Sequence, residues 1–121
     1  MRVIAEAGRQ GDGRLAAVSL FDYRRYMDER DALLAFAALS QPTRLAVFRL
    51  LVEHEPDGLA AGEIARRLAV PQNTMSTHFG VLARAGLIGS ERRSRSIVYR
   101  ARTESIAALA DFLLRDCCGG R

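Results

Sequence analysis

The stretch AGEIARRLAVPQNTMSTHFGVLARAG, residues 61–86, has the pattern of two helices joined by a tight turn. The apolar residues of the first helix are Ile64, Ala65 and Leu68. Val70 and Pro71 end that helix, because proline disfavours helical backbone in the residue before it. The second helix is predicted to begin at Pro71 or Gln72.

This second helix has an apolar side and a polar side. Residues at helical spacing form a predicted buried stripe: Met75, Phe79 and Leu82. Side chains that can hydrogen-bond occupy the other face and the N-terminal end: Gln72, Asn73, Thr74, Ser76, Thr77 and His78. A short helix, a turn and a second helix with a polar face form a helix-turn-helix, whose second helix enters a DNA major groove. A helical hairpin without a DNA partner is the alternative interpretation.

Two helices are predicted before this motif. The first spans Asp22–Leu39 and has these apolar residues: Tyr26, Leu33, Leu34, Phe36, Ala37 and Leu39. In the second helix, Ser40 is the expected N-cap and Pro42 lies just inside the first turn. Its predicted inward residues are Leu45, Phe48 and Leu51 or Val52. The segment HEPDGL, residues 54–59, then forms a turn marked by Asp57-Gly58.

A hairpin and a last helix are predicted after the motif. Leu87 and Ile88 begin a strand, residues 89–102 alternate in polarity, and the chain reverses around Arg93-Ser94-Arg95. Thr103 is the expected cap of an amphipathic helix whose apolar residues include Ile106, Leu109 and Leu113. That apolar face is wide for a terminal helix, so we expect it to pack on another helix. This second helix could belong to a second subunit.

Composition is typical of a globular protein. The chain has 121 residues, 49% of them hydrophobic, and a net charge of +4 that comes from arginine without any lysine. Arginine suits phosphate contacts, although a GC-rich genome gives the same usage. No apolar run approaches the roughly 20 residues of a membrane span, and no secretory signal is recognisable. We therefore expect a cytoplasmic protein without a membrane partner, with residues 1–20 as a flexible N-terminal extension.

Three separated segments resemble the ArsR-type (arsenical-resistance, ArsR/SmtB) metalloregulatory repressors. They are LSQPTRLAVFRLL at 39–51, VPQNTMSTHFGVLARAGLI at 70–88, and ERRSRSIVYR at 91–100. The resemblance implies a mainly α-helical winged helix-turn-helix over residues 21–118 with a small β-hairpin wing, followed by a 119–121 tail. It also implies a homodimer, held by the helices at both ends, that leaves operator DNA when an inducer binds. The predicted dimer helices are Tyr26–Leu39 and Ile106–Leu113.

For DNA, the resemblance places the polar residues 72–74 and 76–78 toward the groove. Asn and Gln can pair with adenine edges, and Ser or Thr with bases or phosphates. His78 either contacts DNA or only bonds a neighbouring helix. The hairpin arginines can reach phosphates or a minor groove, or they form a solvated loop: Arg92, Arg93 and Arg95. Two residues depart from the family pattern, since Gly80 replaces a long polar or basic residue and Ser94 replaces a wing glycine.

The family's metal sites are largely missing here. The resemblance implies two usual sites: a Cys-x-Cys pair at the start of the helix-turn-helix, and a set of Asp, His and Glu on the last helix. The first is absent because the segment GLAAGEIA, residues 58–65, has no thiol. The second is disfavoured because the last helix has Asp111 and Asp116 but no histidine. What remains is the adjacent pair Cys117-Cys118. Consecutive Cα atoms are about 3.8 Å apart, below the usual disulfide range, so the pair favours a dithiol. A dithiol is a soft chelate for thiophilic ions.

Trivalent arsenic, as arsenite or methylarsenite, or antimonite is therefore the expected inducer at Cys117 and Cys118. Inorganic arsenic prefers three sulfurs, so a third ligand would come from a small thiol or from beyond residue 121. A methylated arsenical needs only two sulfurs. Two idle tail cysteines are the plain alternative, and a redox- or other-metal-responsive repressor is the second functional interpretation. An enzyme with Cys117 as nucleophile is disfavoured, because His54 and His78 belong to a turn and to the recognition helix.

Overall fold

The computed structural model describes residues 27–115, and this range contains five α-helices and one three-stranded antiparallel sheet. The elements are α1 Glu29–Leu39, α2 Pro42–Glu53, β1 Leu59–Ala60, α3 Ala61–Leu68, α4 Gln72–Arg84, β2 Ile88–Arg93, β3 Ser96–Ala101 and α5 Thr103–Leu114. The predicted winged helix-turn-helix is confirmed. Residues 34–102 form one compact unit, and residues 27–33 with 103–115 belong to another. No helix within 27–115 has the length and apolarity needed to cross a membrane.

Helix α1 begins later than the sequence suggested. It starts at Glu29, whereas the prediction began at Asp22; residues 22–26 lie outside the described range. Asp28 Oδ1 accepts a hydrogen bond from the Asp31 backbone N–H at 2.9 Å, and Asp31 Oδ2 accepts one from the Asp28 N–H at 3.5 Å. This reciprocal pair satisfies N–H groups that have no partner inside a helix. The helix thereby begins directly after Asp28.

The N-cap of α2 is Gln41, so the prediction of Ser40 is wrong. Gln41 Oε1 accepts from the Arg44 N–H at 2.8 Å, and its backbone is extended. Ser40 instead donates its hydroxyl to the Ala37 carbonyl oxygen at 3.1 Å, which closes the end of α1. Pro42 is the first residue of α2, as predicted, where its missing N–H costs little.

The inward face of α2 is narrower than predicted. Phe48 and Leu51 are buried, as expected, and Val47 joins them. Leu45 and Val52, which were also predicted to face inward, are exposed. The buried positions lie three and four residues apart, which is one face of a helix; residues 45 and 52 lie at the edges of that face.

The turn of the helix-turn-helix lies one residue before the predicted break. Helix α3 ends at Leu68, and Ala69 is its C-cap in the left-handed conformation with φ 56°. The Val70 N–H bonds the Ala65 carbonyl oxygen at 3.0 Å, and the Ala69 N–H bonds the Arg66 carbonyl oxygen at 3.2 Å, which are the two bonds of this type of helix end. Pro71 then precedes α4. The predicted stripe of α4 is confirmed, because Met75, Phe79 and Leu82 are all buried.

The predicted hairpin is present as β2 and β3, and a third strand that was not predicted joins it to form a three-stranded sheet. Strand β3 lies in the centre and pairs with β2 and with the short β1, which occupies the end of the predicted HEPDGL turn. Gly58 has φ 78°, and a Cβ there would collide with the Tyr99 carbonyl oxygen, so only glycine lets β1 approach β3. Ser94 and Arg95 form the hairpin turn, and Ser94 adopts φ 55°. The serine thus takes the conformation for which glycine is favoured.

We predict that Ala69→Gly raises the free energy of unfolding by about 0.5–1 kcal/mol. An alanine Cβ clashes with the backbone at positive φ, and glycine removes that clash. Urea unfolding followed by circular dichroism measures the change. Ala110→Gly is the matched control, since Ala110 is exposed in the interior of α5, and there the same change should lower stability by about 1 kcal/mol. A loss of stability in both variants would contradict the strain at Ala69.

Candidate nucleic-acid interface

Helix α4 turns one continuous polar face away from the core. Its buried residues are separated by four and three positions along the chain. The residues on the opposite side of the helix have the same spacing: Asn73, Thr77, Gly80 and Arg84. Five of the six predicted groove residues are exposed: Gln72, Asn73, Thr74, Ser76 and Thr77. His78 is half-buried on the flank of the helix. The structure therefore brings the predicted polar residues together on one helix end, with His78 at their edge.

The N-terminus of α4 is open to an anion. Pro71 supplies no side-chain cap, and the first turn contains no acidic residue. Asn73 Oδ1 accepts from the Thr74 N–H at 2.9 Å, and the Ser76 hydroxyl donates to the Gln72 carbonyl oxygen at 3.1 Å. The positive end of the helix dipole and its N–H groups favour negative charge at this place.

His78 contacts Arg44 of α2. The Arg44 Nη1 lies 3.3 Å from His78 Nδ1, and the same guanidinium donates through Nε to the Ala38 carbonyl oxygen at 2.7 Å. Its Nη2 lies 3.5 Å from the Ala37 carbonyl oxygen. The contact with a neighbouring helix, one of the two interpretations of His78, is thus present, and the outer part of the ring stays available.

Arg84 was missed by the sequence analysis. A Cβ at position 80 would lie 3.3 Å from Arg84 Nη1, so the arginine lies back along the helix over Gly80. Within residues 27–115 its guanidinium has no hydrogen bond or ion pair. Side chains in a helix lean toward the N-terminus, which places residue 84 over residue 80. The spacing of four residues was the signal that could have identified it.

The wing arginines differ in their surroundings. Arg93 Nε is 3.3 Å from Glu91 Oε2, and Arg100 Nη1 is 3.4 Å from Glu91 Oε1. Glu91 and Arg93 are exposed and Arg100 is half-buried, so the pairs are close to solvent and add little stability. Arg92 and Arg95 are exposed and have no ion pair in the described part of the chain. The tip of the wing therefore carries two uncompensated positive charges.

An aromatic stack joins α4 to the wing. The rings of Phe79 and Tyr99 have centroids 4.2 Å apart and planes inclined by 28°. Burial raises the pKa of the Tyr99 hydroxyl, because the phenolate would lose its hydration. The polar face of α4 is thus held at a fixed angle to the hairpin that carries the arginines.

The predicted sensor residues Cys117 and Cys118 lie outside the described range. Within residues 27–115, no group of three His, Cys, Asp or Glu side chains is placed to hold a metal ion. Arg115, two residues before the thiol pair, donates through Nη2 to the Met27 carbonyl oxygen at 3.3 Å. Its guanidinium carbon lies 5.3 Å from the centre of the Phe112 ring. The end of α5 is thereby fastened to the residue that leads into α1.

Comparison with known proteins identifies the fold and the family. Residues 39–90 match a family model described as a helix-turn-helix domain. An uncharacterized HTH-type transcriptional regulator of Bacillus subtilis, YbzH, is 35% identical over 92 residues, covering 64% of this chain and 90% of that protein. The biofilm growth-associated repressor of Xylella fastidiosa is 32% identical over 80 residues, covering 66% of this chain and 68% of the repressor.

A solved structure agrees with these relatives. The ArsR-like transcriptional regulator from Rhodococcus sp. RHA1 superposes with a TM-score of 0.64 at 30% identity, over 71% of this chain and 78% of that one. The matched proteins are transcriptional regulators, which confirms the prediction that the chain is not an enzyme. The polar face of α4, the wing and these likenesses agree: the chain belongs to the ArsR-type winged helix-turn-helix transcriptional regulators.

Proposed function

We propose that this chain is a cytoplasmic homodimeric repressor that binds an inverted repeat in double-stranded operator DNA and is released by trivalent arsenic, arsenite or methylarsenite, or by antimonite. The observation that carries DNA binding is the polar face of α4. Asn73 and Thr77 point away from the core, while Met75 and Phe79 hold the opposite side of the helix. A helix presented in this way fits a major groove.

Base recognition is assigned to the N-terminal half of α4. Gln72 and Asn73 carry amides that can bond both edge atoms of an adenine. Thr74, Ser76 and Thr77 offer hydroxyls for bases or phosphates. The open helix N-terminus adds backbone N–H groups for a phosphate.

Phosphate contacts are assigned to the unpaired arginines. Arg92 and Arg95 stand on the wing without a partner among residues 27–115, and Arg84 stands on the outward face of α4 where Gly80 leaves room for it. Arg84 thereby substitutes for the long side chain that the family usually has at position 80. Arg93 contributes less, because Glu91 already balances its charge.

Dimerisation is assigned to the helices at the two ends. The buried residues of α1 are alanines, namely Ala32, Ala35 and Ala38, whereas its large apolar side chains are outside: Leu33 is 58% exposed, Leu34 47% and Phe36 42%. Leu113 and Leu114 of α5 are also exposed. Large apolar side chains in such numbers on the outside of a small domain favour a protein partner. A second copy of the chain would cover the exposed apolar side chains of both helices, because a symmetric dimer uses the same surface on each subunit.

The inducer is assigned from the chemistry of Cys117 and Cys118. They are the only thiols of the sequence, and vicinal thiolates suit soft trivalent arsenic. Chelation would bind the sulfurs of two adjacent residues to one ion, which would constrain the backbone at positions 117 and 118. Arg115 lies two residues before Cys117, and that constraint would move or break its bond to the Met27 carbonyl oxygen. The inducer thus favours a state with different contacts at the dimer helices, which is what a population shift requires.

A redox-responsive repressor is the alternative function. It rests on the same two thiols, which could be oxidised instead of chelating an ion. Both versions share the fold and the DNA surface, and they differ in the agent that releases DNA.

For the dimer, we predict that Leu34→Glu with Phe36→Glu gives a monomer at micromolar concentration. Two charges on the exposed apolar face of α1 would have to be desolvated in the interface. Sedimentation velocity measures the oligomeric state. Val52→Glu is the control, because Val52 is an exposed apolar residue on α2, outside the predicted interface. A double variant that still sediments as a dimer would show that α1 is not the interface.

For DNA, we predict that Arg95→Gln lowers the slope of log affinity against log salt by about one. Each phosphate contact releases counterions, and Arg95 has no ion-pair partner in the described part of the chain that would compete. Arg93→Gln should change the slope less, because Glu91 holds that side chain. Fluorescence anisotropy with an operator duplex at several salt concentrations measures both.

The matched control for charge is Arg49→Gln, since Arg49 is exposed on the side of α2 opposite its buried residues. Gln72→Ala with Asn73→Ala provides the contrast, because it should reduce the preference for operator over random DNA while the slope stays nearly constant. If the slope of log affinity against log salt were equal for the Arg49, Arg93 and Arg95 variants, the wing would not contact DNA.

For the inducer, we predict that Cys117→Ser with Cys118→Ser keeps operator affinity and no longer releases DNA with arsenicals. The wild-type chain should release DNA, and in thiol-free reducing buffer methylarsenite should act at lower concentration than arsenite, since it needs only two sulfurs. Anisotropy of labelled operator follows the release, and added glutathione should narrow the difference.

Three outcomes decide between the alternatives. Release of the double serine variant by arsenicals would place the inducer site elsewhere. Release of the wild type by peroxide, with no response to arsenicals, would favour the redox repressor. Equal potency of the two arsenicals without added thiol would refute the two-sulfur site.

A further inference from the structure

Arg44 is the residue that connects α2 to the flank of the recognition helix α4. Its guanidinium makes three contacts at once: Nε to the Ala38 carbonyl oxygen, Nη2 near the Ala37 carbonyl oxygen, and Nη1 to His78 Nδ1. Its own backbone N–H is held by Gln41. The side chain is part-buried, and the carbonyls belong to the C-terminal end of α1, where the helix dipole favours a cation. Arg44 is therefore fixed before any DNA arrives.

The contact with His78 determines which ring nitrogen carries the proton. A guanidinium has five N–H donors and no acceptor. His78 Nδ1, 3.3 Å from Arg44 Nη1, must therefore accept, and in a neutral imidazole the proton then sits on Nε2. Within residues 27–115, the Nε2 atom has no hydrogen-bond partner. The ring is half-buried, so a donor remains available at the edge of the polar face.

We propose that Arg44 is a positioning residue for DNA recognition, which holds His78 in the Nε2–H form so that His78 acts as a donor toward an acceptor on the operator. This inference rests on the proposed DNA-binding function. The acceptor is either the N7 atom of a guanine or a phosphate oxygen. A base that offers only a donor at that position, such as the amino group of cytosine, would be rejected. The Nε2 atom of His78 is thereby a hydrogen-bond donor, whereas the same atom of a histidine without this contact can either donate or accept.

The first test observes the tautomer without DNA. In the full chain labelled with 15N, at a pH where imidazole is neutral, His78 should show the nitrogen shifts of the Nε2–H form. Arg44→Met removes the donors while keeping an unbranched side chain, and it should give a mixture of tautomers. Arg44→Lys retains a donor and should keep the wild-type pattern. A wild-type His78 in the Nδ1–H form would overturn the proposal, whatever the chain does with DNA.

The second test is a double-mutant cycle on operator affinity. Arg44→Met should weaken binding by about tenfold, the size expected for one well-placed hydrogen bond. His78→Gln places a side-chain amide near the position of Nε2, and that amide carries an N–H donor whether or not Arg44 is present. In that background Arg44→Met should change affinity less than twofold. Equal losses in both backgrounds would mean that Arg44 acts only by closing the end of α1, and the proposal would fail.

Modified operators distinguish the two sources of the acceptor. Replacing guanines by 7-deazaguanine removes N7, and replacing single phosphates by methylphosphonate removes a charged oxygen. One of these changes should abolish the difference between the wild type and His78→Ala. If the wild-type chain bound no duplex at all, the proposed function would fail, and the tautomer measurement would still decide the role of Arg44.

Discussion

The stack between Phe79 and Tyr99 fixes the position of the DNA surface. Tyr99 belongs to β3, the central strand, where it pairs with Leu59 of β1 and with Ser90 of β2. Phe79 belongs to the buried stripe of α4. One ring-to-ring contact of 4.2 Å therefore sets the recognition helix against all three strands. The direction of the polar face of α4 and the reach of the wing both follow from it.

Helical periodicity made most of the scaffold predictable. The stripe of Met75, Phe79 and Leu82 follows from spacing alone, and the order of the elements gave the winged helix. Local ends were less predictable. Gln41 is an uncommon N-cap residue, and its role depends on an extended backbone conformation that cannot be predicted from the residue type. Strand β1 has two residues and exists only because β3 lies beside it, so no local pattern could reveal it.

The candidate site was predictable where it depends on one helix and unpredictable where it joins two. Exposure of Gln72, Asn73 and Thr77 follows from the same period that buries Met75. The Arg44–His78 contact joins residues 34 positions apart, and only the packing of α2 against α4 brings them together. The inducer site depends on the chemistry of two thiols outside the described range, so it stays a prediction from the sequence.

The outward face of α4 contributes nothing to the core. Asn73, Thr77, Gly80 and Arg84 lie half a turn from the buried stripe that packs the helix on the core. Mutations in the outward row are therefore nearly free of folding cost. If duplicated copies of the gene change at these four codons, the proposed DNA contacts change while the fold is retained. Regulators built in this way can diversify within a genome faster than their architecture changes.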